Sequence, residues 1–392
     1  MLAATVRVTR DLDLAEECVQ DAFAKALTTW DEVPRNPGAW LTTTARNRAL
    51  DLLRREATLR AKLPLLVEEP PADPDGFPDD RLRLVFTCCH PSLAPEAQVA
   101  LTLRLICGLS TADVARAFLV TESTMAARIT RAKKKILQAR IPYRVPSEAD
   151  LPERVDAVLA AIHLLFTTGH TAPSGDQLVR HDLVGRALDL ARMLLTLLPL
   201  PEVRGLLALI LLTDARRATR IGDDGRLLLL EEQDRSRWDR AEIDEGVALV
   251  TQALTRDPGR YALQAALAAV HAEAPAFEDT DWTEIVGLYD LLLRHWPSPV
   301  VELNRAVALG MARGPQAGLD ALGPLGSEPA LATYGYLPAA RADFLRRLGR
   351  DAEARTSYEE ALILTDNVVE RRFLERRLSG LEPSQEGYGG QG

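Results

Sequence analysis

Aromatic residues make up only 5% of the 392 positions, and no run of Val, Ile, Thr and Tyr bounded by turn residues occurs. Sheets draw on those residue types, whereas Leu, Ala and Arg dominate here, so strands are not expected and the fold class is all-α. Long apolar runs are missing too. The longest, "GLLALILL" from Gly205 to Leu212, falls far short of the roughly 20 residues that span a bilayer, so no membrane association is expected and the run predicts a buried helix. Four cysteines are too few for a disulfide framework in so long a chain, and the N-terminal residues show no signal pattern. A reducing cytoplasm is the expected location. Cys88, Cys89 and His90 in "TCCHPS" lack the second spaced pair that zinc sites need, which points to buried thiols; neither a metal nor a cofactor is expected.

What is present is charge, unevenly placed. The net charge is −9, but residues 1–142 hold 20 Lys/Arg against 18 Asp/Glu, while residues 143–392 hold 27 against 38. The stretch from Ser123 to Arg140 carries six Lys/Arg and no acid. Met125, Ile129, Ala132, Ile136 and Leu137 keep helical spacing through it. "TADVARAFL" precedes it, with Ser110 or Thr111 as N-cap and Asp113 in the first turn, and Thr121 or Ser123 can cap the basic helix. Helix, short turn, basic helix is the helix-turn-helix pattern. In its docking geometry Ser123, Thr124 and Arg128 face base edges, and Arg131, Lys133, Lys134 and Lys135 face phosphates. The expected partner is therefore DNA.

Around this motif the chain divides. Residues 1–64 read as helices, "LDLAEECVQDAFAKALTTW" and "AWLTTTARNRALDLLRREATLRAKL", broken at "DEVPRNPG". Asp13 with Glu16 three residues on reads as a capping box, and Leu14, Val19, Ala22, Phe23, Ala26 and Leu27 as an apolar face. Residues 65–80, acidic and rich in proline, read as a flexible linker. Residues 81–142 hold the helix-turn-helix, and 146–380 form an acidic helical domain before a disordered tail at 381–392. Within that domain Gly349, Ala354, Tyr358 and Ala361 keep tetratricopeptide (TPR) spacing, which suggests units near 266–299, 300–334 and 335–368. Asp223, Asp224, Asp234, Arg235, Arg237 and Trp238 suggest a buried polar knot, or equally a docking surface. His163, His170 and the Asp223–Asp224 pair are the candidates for catalysis, but no nucleophile–base or acid–base constellation accompanies them, so no enzyme is expected.

"AEECVQDAFAKAL", "PGAWLTTTARNRALDLLRRE" and the helix-turn-helix, in that order over about residues 10–140, resemble the conserved regions of an extracytoplasmic-function (ECF) RNA polymerase sigma factor. The long helical extension resembles the group with a TPR-like C-terminal domain. The resemblance implies sigma region 2 in residues 1–64 and region 4 in 81–142. It implies a core-polymerase-binding surface at Glu16, Glu17, Gln20, Asp21 and Phe23. For the −10 promoter element it implies Asn36 in the base-capturing loop, with Trp40, Arg46, Asn47, Arg54 and Arg55 on the following helix. Trp40 also lies on the apolar face, where it would pack. The basic helix would bind the −35 element, although Ala126 and Ala127 stand where family members carry polar or basic residues, so readout there would lean on DNA shape. Met1 lies where the family's first helix should be under way, which implies either a start further upstream or a shortened first region.

The partners implied are core RNA polymerase and promoter DNA, with a small regulatory protein at the C-terminal domain. Truncation after Ile141 is expected to alter transcription without abolishing core binding. The competing expectation is a helix-turn-helix repressor or activator with a TPR-like sensor domain, which would have no use for residues 1–64.

Overall fold

The computed structural model describes residues 1–30, 32–60, 80–118, 120–172, 178–254 and 256–381, except for the side chains of 56–60, 116 and 117. The linker expected at 65–80, apart from Asp80, and the tail beyond Leu381 lie outside the described residues. Among the described residues the fold is all-α, and the only extended pairing is an isolated bridge between Ile221 and Leu227. The chain divides into two compact units, Met1–Leu164 and Leu165–Gly392.

In the first unit the helices are α1 (Leu2–Thr9), α2 (Leu12–Thr29), α3 (Pro37–Arg60), α4 (Asp80–Cys88), α5 (Pro95–Leu101), α6 (Thr111–Ala117) and α7 (Glu122–Gln138). α5 runs on through a π-helical turn at Thr102–Ile106. α8 (Leu151–His170) begins in this unit and ends in the second.

The helices start where a cap and an apolar stripe agree. The cap of α2 lies two residues before the expected one: Asp11, not Asp13, accepts from the backbone N–H groups of Asp13 (2.8 Å) and Leu14 (3.0 Å). The earlier start puts Leu12 into the core. Ser110 caps α6 reciprocally with Asp113, and Thr121 caps α7 through the Thr124 N–H at 3.2 Å. Ala22, Ala26, Leu41 and Ala45 join α2 to α3. Tyr143, buried, places its hydroxyl 2.7 Å from the Ala3 carbonyl and 3.0 Å from that of Asp80, tying α1 to α4. Cys88 and Cys89 are buried thiols, the latter 3.4 Å from the Thr102 hydroxyl, and burial pushes both up in pKa.

The second unit continues with α9 (His181–Leu197), α10 (Pro201–Asp214), α11 (Arg240–Ala253), α12 (Arg260–Glu273), α13 (Trp282–His295), α14 (Pro299–Arg313), α15 (Pro315–Leu322), α16 (Tyr336–Arg347), α17 (Asp351–Ile363) and α18 (Val368–Ser379). α10 carries the "GLLALILL" run, all of it buried. An apolar helix with no polar face must be covered on all sides, and α9, α11 and α12 pack against it. Gly205 lets α12 come close: a Cβ there would lie 2.5 Å from the Ala262 backbone nitrogen. Glu202 of α10 accepts from the Tyr261 and Ala262 N–H groups at 3.0 and 3.1 Å, so α10 caps α12. Gly314, at φ 97°, turns the chain between α14 and α15.

The expected polar knot is only partly there. Trp238 is buried, donates to Thr219 Oγ1 at 2.9 Å and lies under the Arg235 guanidinium. Asp223, Asp224, Asp234 and Arg237 are exposed instead. Asp223 and Asp224 ride on the turn closed by the Ile221–Leu227 bridge, where Asp224 accepts from the Arg226 N–H at 3.0 Å. His163 and His170 both lie on α8.

Candidate nucleic-acid interface

α7 buries Met125, Ile129, Ala132 and Ile136, a stripe at i, i+4, i+7 and i+11. Everything else on the helix is turned outward. Ser123, Thr124, Arg131, Lys134 and Lys135 are exposed, and Arg128 is half-buried with its guanidinium over the Phe118 ring. Leu137, expected on the apolar stripe, is 62% exposed, because it falls about 100° from Ile136 around the helix. The outer face thus presents hydroxyls at its N-terminal end and cations further on, the order in which a recognition helix meets base edges and then phosphates.

Lys133 is the exception. Its ammonium faces away from that surface and toward α2, donating to Asp13 Oδ1 at 2.7 Å and to Glu16 Oε2. Burial alone would pull its pKa down; the hydrogen bonds and charges of Asp13 and Glu16 outweigh that and the net shift is upward. Glu16 in turn has its other oxygen 2.9 Å from Arg104 Nη2. One carboxylate therefore joins α2 to the π turn and, 117 residues along the chain, to α7. In this arrangement Glu16 and Lys133 occupy each other.

The remainder of α2 is open. Leu12, Ala15, Cys18, Ala22 and Ala26 face the core, so Gln20, Phe23 and Leu27 form one outward stripe. Phe23 is 49% exposed and Leu27 87%. Two large apolar side chains a helical turn apart, left in water beside the exposed Glu17 and Gln20, have the look of a protein-docking surface. Leu27 belongs to this patch, not to the core where its spacing had put it; its place opposite Ala22 and Ala26 was the signal. Asp21 is half-exposed and accepts from Arg48 Nε of α3 at 2.7 Å, so part of its charge is already spent within the unit.

On α3, Arg46, Asn47, Arg54 and Arg55 are exposed. Trp40 packs: its ring stands edge-on to Trp30 at 5.1 Å and lies against the Ala22–Leu41–Ala45 cluster, while staying half-buried. Asn36 is the N-cap of α3, its Oδ1 accepting from the Ala39 N–H at 3.0 Å. The cap role went unread in the sequence because Pro37 and Gly38 made the segment look like loop alone. No cluster of His, Cys, Asp and Glu that could hold a metal occurs among the described residues.

Comparison with known proteins agrees with this geometry. The sigma-70 region 2 family matches residues 2–58, which are α1 to α3, and the sigma-70 region 4 family matches residues 83–136, which are α4 to α7. The chain is an ECF-type sigma factor with a C-terminal extension. In this sigma factor the first part of the extension, residues 154–254, matches a family of unknown function, DUF6596. An uncharacterized protein of Rhizobium meliloti (strain 1021) is 42% identical over 97% of this chain and 93% of its own. No solved structure matches the sigma factor at a significant level.

Proposed function

We propose that this sigma factor binds core RNA polymerase, recognises −10 and −35 promoter elements, and is modulated by its own C-terminal helical domain. It acts as a specificity subunit and not as an enzyme, in the cytoplasm where transcription takes place; no described helix is long and apolar enough to cross a membrane. The observation that carries the proposal is the pairing of two unlike open surfaces in one unit: the acid-free outer face of α7 beyond its first turn, and the apolar Phe23–Leu27 patch of α2 with Glu17 and Gln20 beside it. A repressor needs the first and has no use for the second.

In this reading Arg46, Asn47, Arg54 and Arg55 meet the −10 strand, the neighbourhood of Asn36 and Trp40 takes an extruded base, and Ser123, Thr124 and Arg128 read the −35 groove. Arg131, Lys134 and Lys135 hold phosphates. Lys133 joins them only when its contact with Glu16 breaks, which also releases Glu16 to polymerase. The helix pairs α14–α15 and α16–α17 make the TPR-like surface where a small regulatory protein would dock.

Binding of the purified full chain to core RNA polymerase and to duplex promoter DNA, each measured alone, tests the proposal. Tight core binding with weak free-DNA binding is expected. Sequence-specific DNA binding with no affinity for core would instead support a helix-turn-helix repressor or activator.

A further inference from the structure

The C-terminal unit encloses a cavity of about 940 Å³, at the upper end of the size range of small-molecule sites. Stacked helices form its wall. Positions one turn apart on α14, α16 and α18 face into it, among them Val307 and Met311, Tyr336 and Ala340, Glu370 and Phe373. The end of α8 closes one side. Asn367, fully buried, caps α18 through the Val369 N–H at 2.9 Å and donates from Nδ2 to the Ala172 carbonyl at 3.0 Å. Glu370 on the first turn of α18 and His170 at the end of α8 therefore sit on adjoining walls.

Two features of the wall are out of proportion to the rest of the chain. Aromatics are 5% of the residues, yet six of them, Phe277, Trp282, Tyr334, Tyr336, Tyr358 and Phe373, line this one cavity. The Tyr334 and Tyr336 rings stand 5.1 Å apart, tilted by 53°. Tyr336 donates its hydroxyl to Glu370 Oε1 at 2.5 Å and is still 48% exposed, so its ring is pinned at the tip and open along its side.

The second feature is charge. Asp343 is fully paired, with Arg346 at 2.8 Å and Arg347 at 2.6 Å. That leaves Glu231, Asp366 and Glu370 on the wall against Arg377, whose guanidinium lies over the Phe373 ring. Asp366 is exposed and makes neither a hydrogen bond nor an ion pair among the described residues; the Glu370 carboxylate has the Tyr336 hydroxyl alone. Arg220 does not line the cavity. It donates to the His170 carbonyl and to Thr171 Oγ1 at 3.0 Å, at the negative end of α8, where a cation belongs. His170 does line it, is more than nine-tenths buried, and leaves Nδ1 without a partner. Burial first, and Arg220 beside it, hold that ring neutral, so it keeps one acceptor nitrogen and adds no positive charge to the wall.

Aromatic rings beside an unpaired carboxylate suit an organic cation. The ring faces carry the negative end of their quadrupole, and the carboxylate supplies a full opposite charge. An anion would meet both as repulsion. We propose that this cavity binds a small organic cation, an ammonium group on an apolar body, with its charge held between Glu370 and the Tyr334 and Tyr336 rings and its body against the remaining aromatic wall. Such a site goes beyond the regulatory role proposed for the extension and does not rest on it, because binding is read directly.

The probes are 1-pyrenebutylamine, 1-pyrenebutanol and 1-pyrenebutyrate, one fluorescent body with a cationic, a neutral and an anionic head. Fluorescence titration of the full chain at neutral pH is expected to show one saturable site for the amine, at least about tenfold tighter than for the alcohol, with the carboxylate weakest. Glu370→Gln is expected to bring the amine down to the affinity of the alcohol and to leave the alcohol unchanged. Glu375→Gln makes the same change of net charge at an exposed position of α18 outside the cavity, and should keep the preference. Asn304→Trp, which fills the cavity from an exposed position of α14, should remove binding of all three. If Glu370→Gln lowers the melting temperature markedly, Asp366→Asn takes its place and should reduce the preference for the amine. Equal affinity for amine and alcohol, tighter binding of the carboxylate, a Glu370→Gln or substitute Asp366→Asn chain that behaves as Glu375→Gln does, or amine still bound to Asn304→Trp overturns the proposal.

Discussion

His170 and His271 stay neutral in the folded chain far below the pH at which a free imidazole takes its proton. Burial does most of this, and the charges of Arg220 and Arg216, or Arg216 and Arg235, add to it, lowering the two pKa values to about 2 and about 4. The unfolded chain has no such restraint and binds both protons as pH falls below about 6.5. Stability carried by these residues is therefore fully present above that pH and is lost progressively below it, down to about 4 for His271 and lower still for His170. Each contributes a slope of at most about 1.4 kcal/mol per pH unit. Urea unfolding of the full chain should show a midpoint that drops steadily between neutral pH and about pH 5. His170→Phe, which keeps a ring against Phe166, should roughly halve the histidine part of that slope. A slope identical to that of the parent chain would mean that His170 is protonated in the folded state. Most of this was not visible in the residue order: His170 stood out only as one of two histidines seven apart, and the arginines that hold it neutral arrive from beyond α9 and α10.

At the scale of the element, α2 and α7 show where periodicity suffices and where it stops. The buried stripe of α7, its Thr121 cap and the Ser110–Asp113 cap of α6 follow from residue types and spacing, because local hydrogen bonds and one apolar face decide them. Asp11 and Asp13 could both cap α2, and only the burial of Leu12 chooses between them. Leu27 keeps apolar spacing yet points to water, since spacing marks a face without saying what covers it. The Glu16–Lys133–Asp13 contact joins residues 117 and 120 positions apart, and no local pattern announces it. That contact sets up a test. Lys133→Glu would put three carboxylates together and should loosen α7 from α2, costing about 1–2 kcal/mol once residual solvent screening is allowed for. Amide exchange of α7 should quicken and α2 should bind core polymerase more readily. Glu16→Lys combined with Lys133→Glu should restore slow exchange in α7, because the reversed pair can re-form. If the double variant exchanges as fast as the single one, the helices are held by their apolar contacts and the ion pair is incidental.

For the whole molecule, the place where the chain is cut decides what a truncation measures. The sequence suggests a boundary after Ile141, at the end of the basic helix. The first unit, however, extends to Leu164. Beyond Ile141 it uses Tyr143, whose hydroxyl reaches the carbonyls of Ala3 and Asp80, and Arg154, which donates to the Phe86 carbonyl and lies over the Phe86 ring. Removing Tyr143 leaves a hole between α1 and α4 of the kind that costs about 3–5 kcal/mol when a large aromatic is deleted. A chain ending at Ile141 should therefore melt well below one ending at Leu164, and a change in its transcription would report damage to region 2 as much as loss of the extension. The chain ending at Leu164 keeps those contacts and both open surfaces. It should bind core polymerase about as well as the full chain, while its promoter-dependent transcription in a reconstituted assay should change, up or down, if the C-terminal unit is regulatory. Transcription equal to that of the full chain, at equal core occupancy, would remove the regulatory role from the extension and leave its cavity to serve some purpose other than control of initiation.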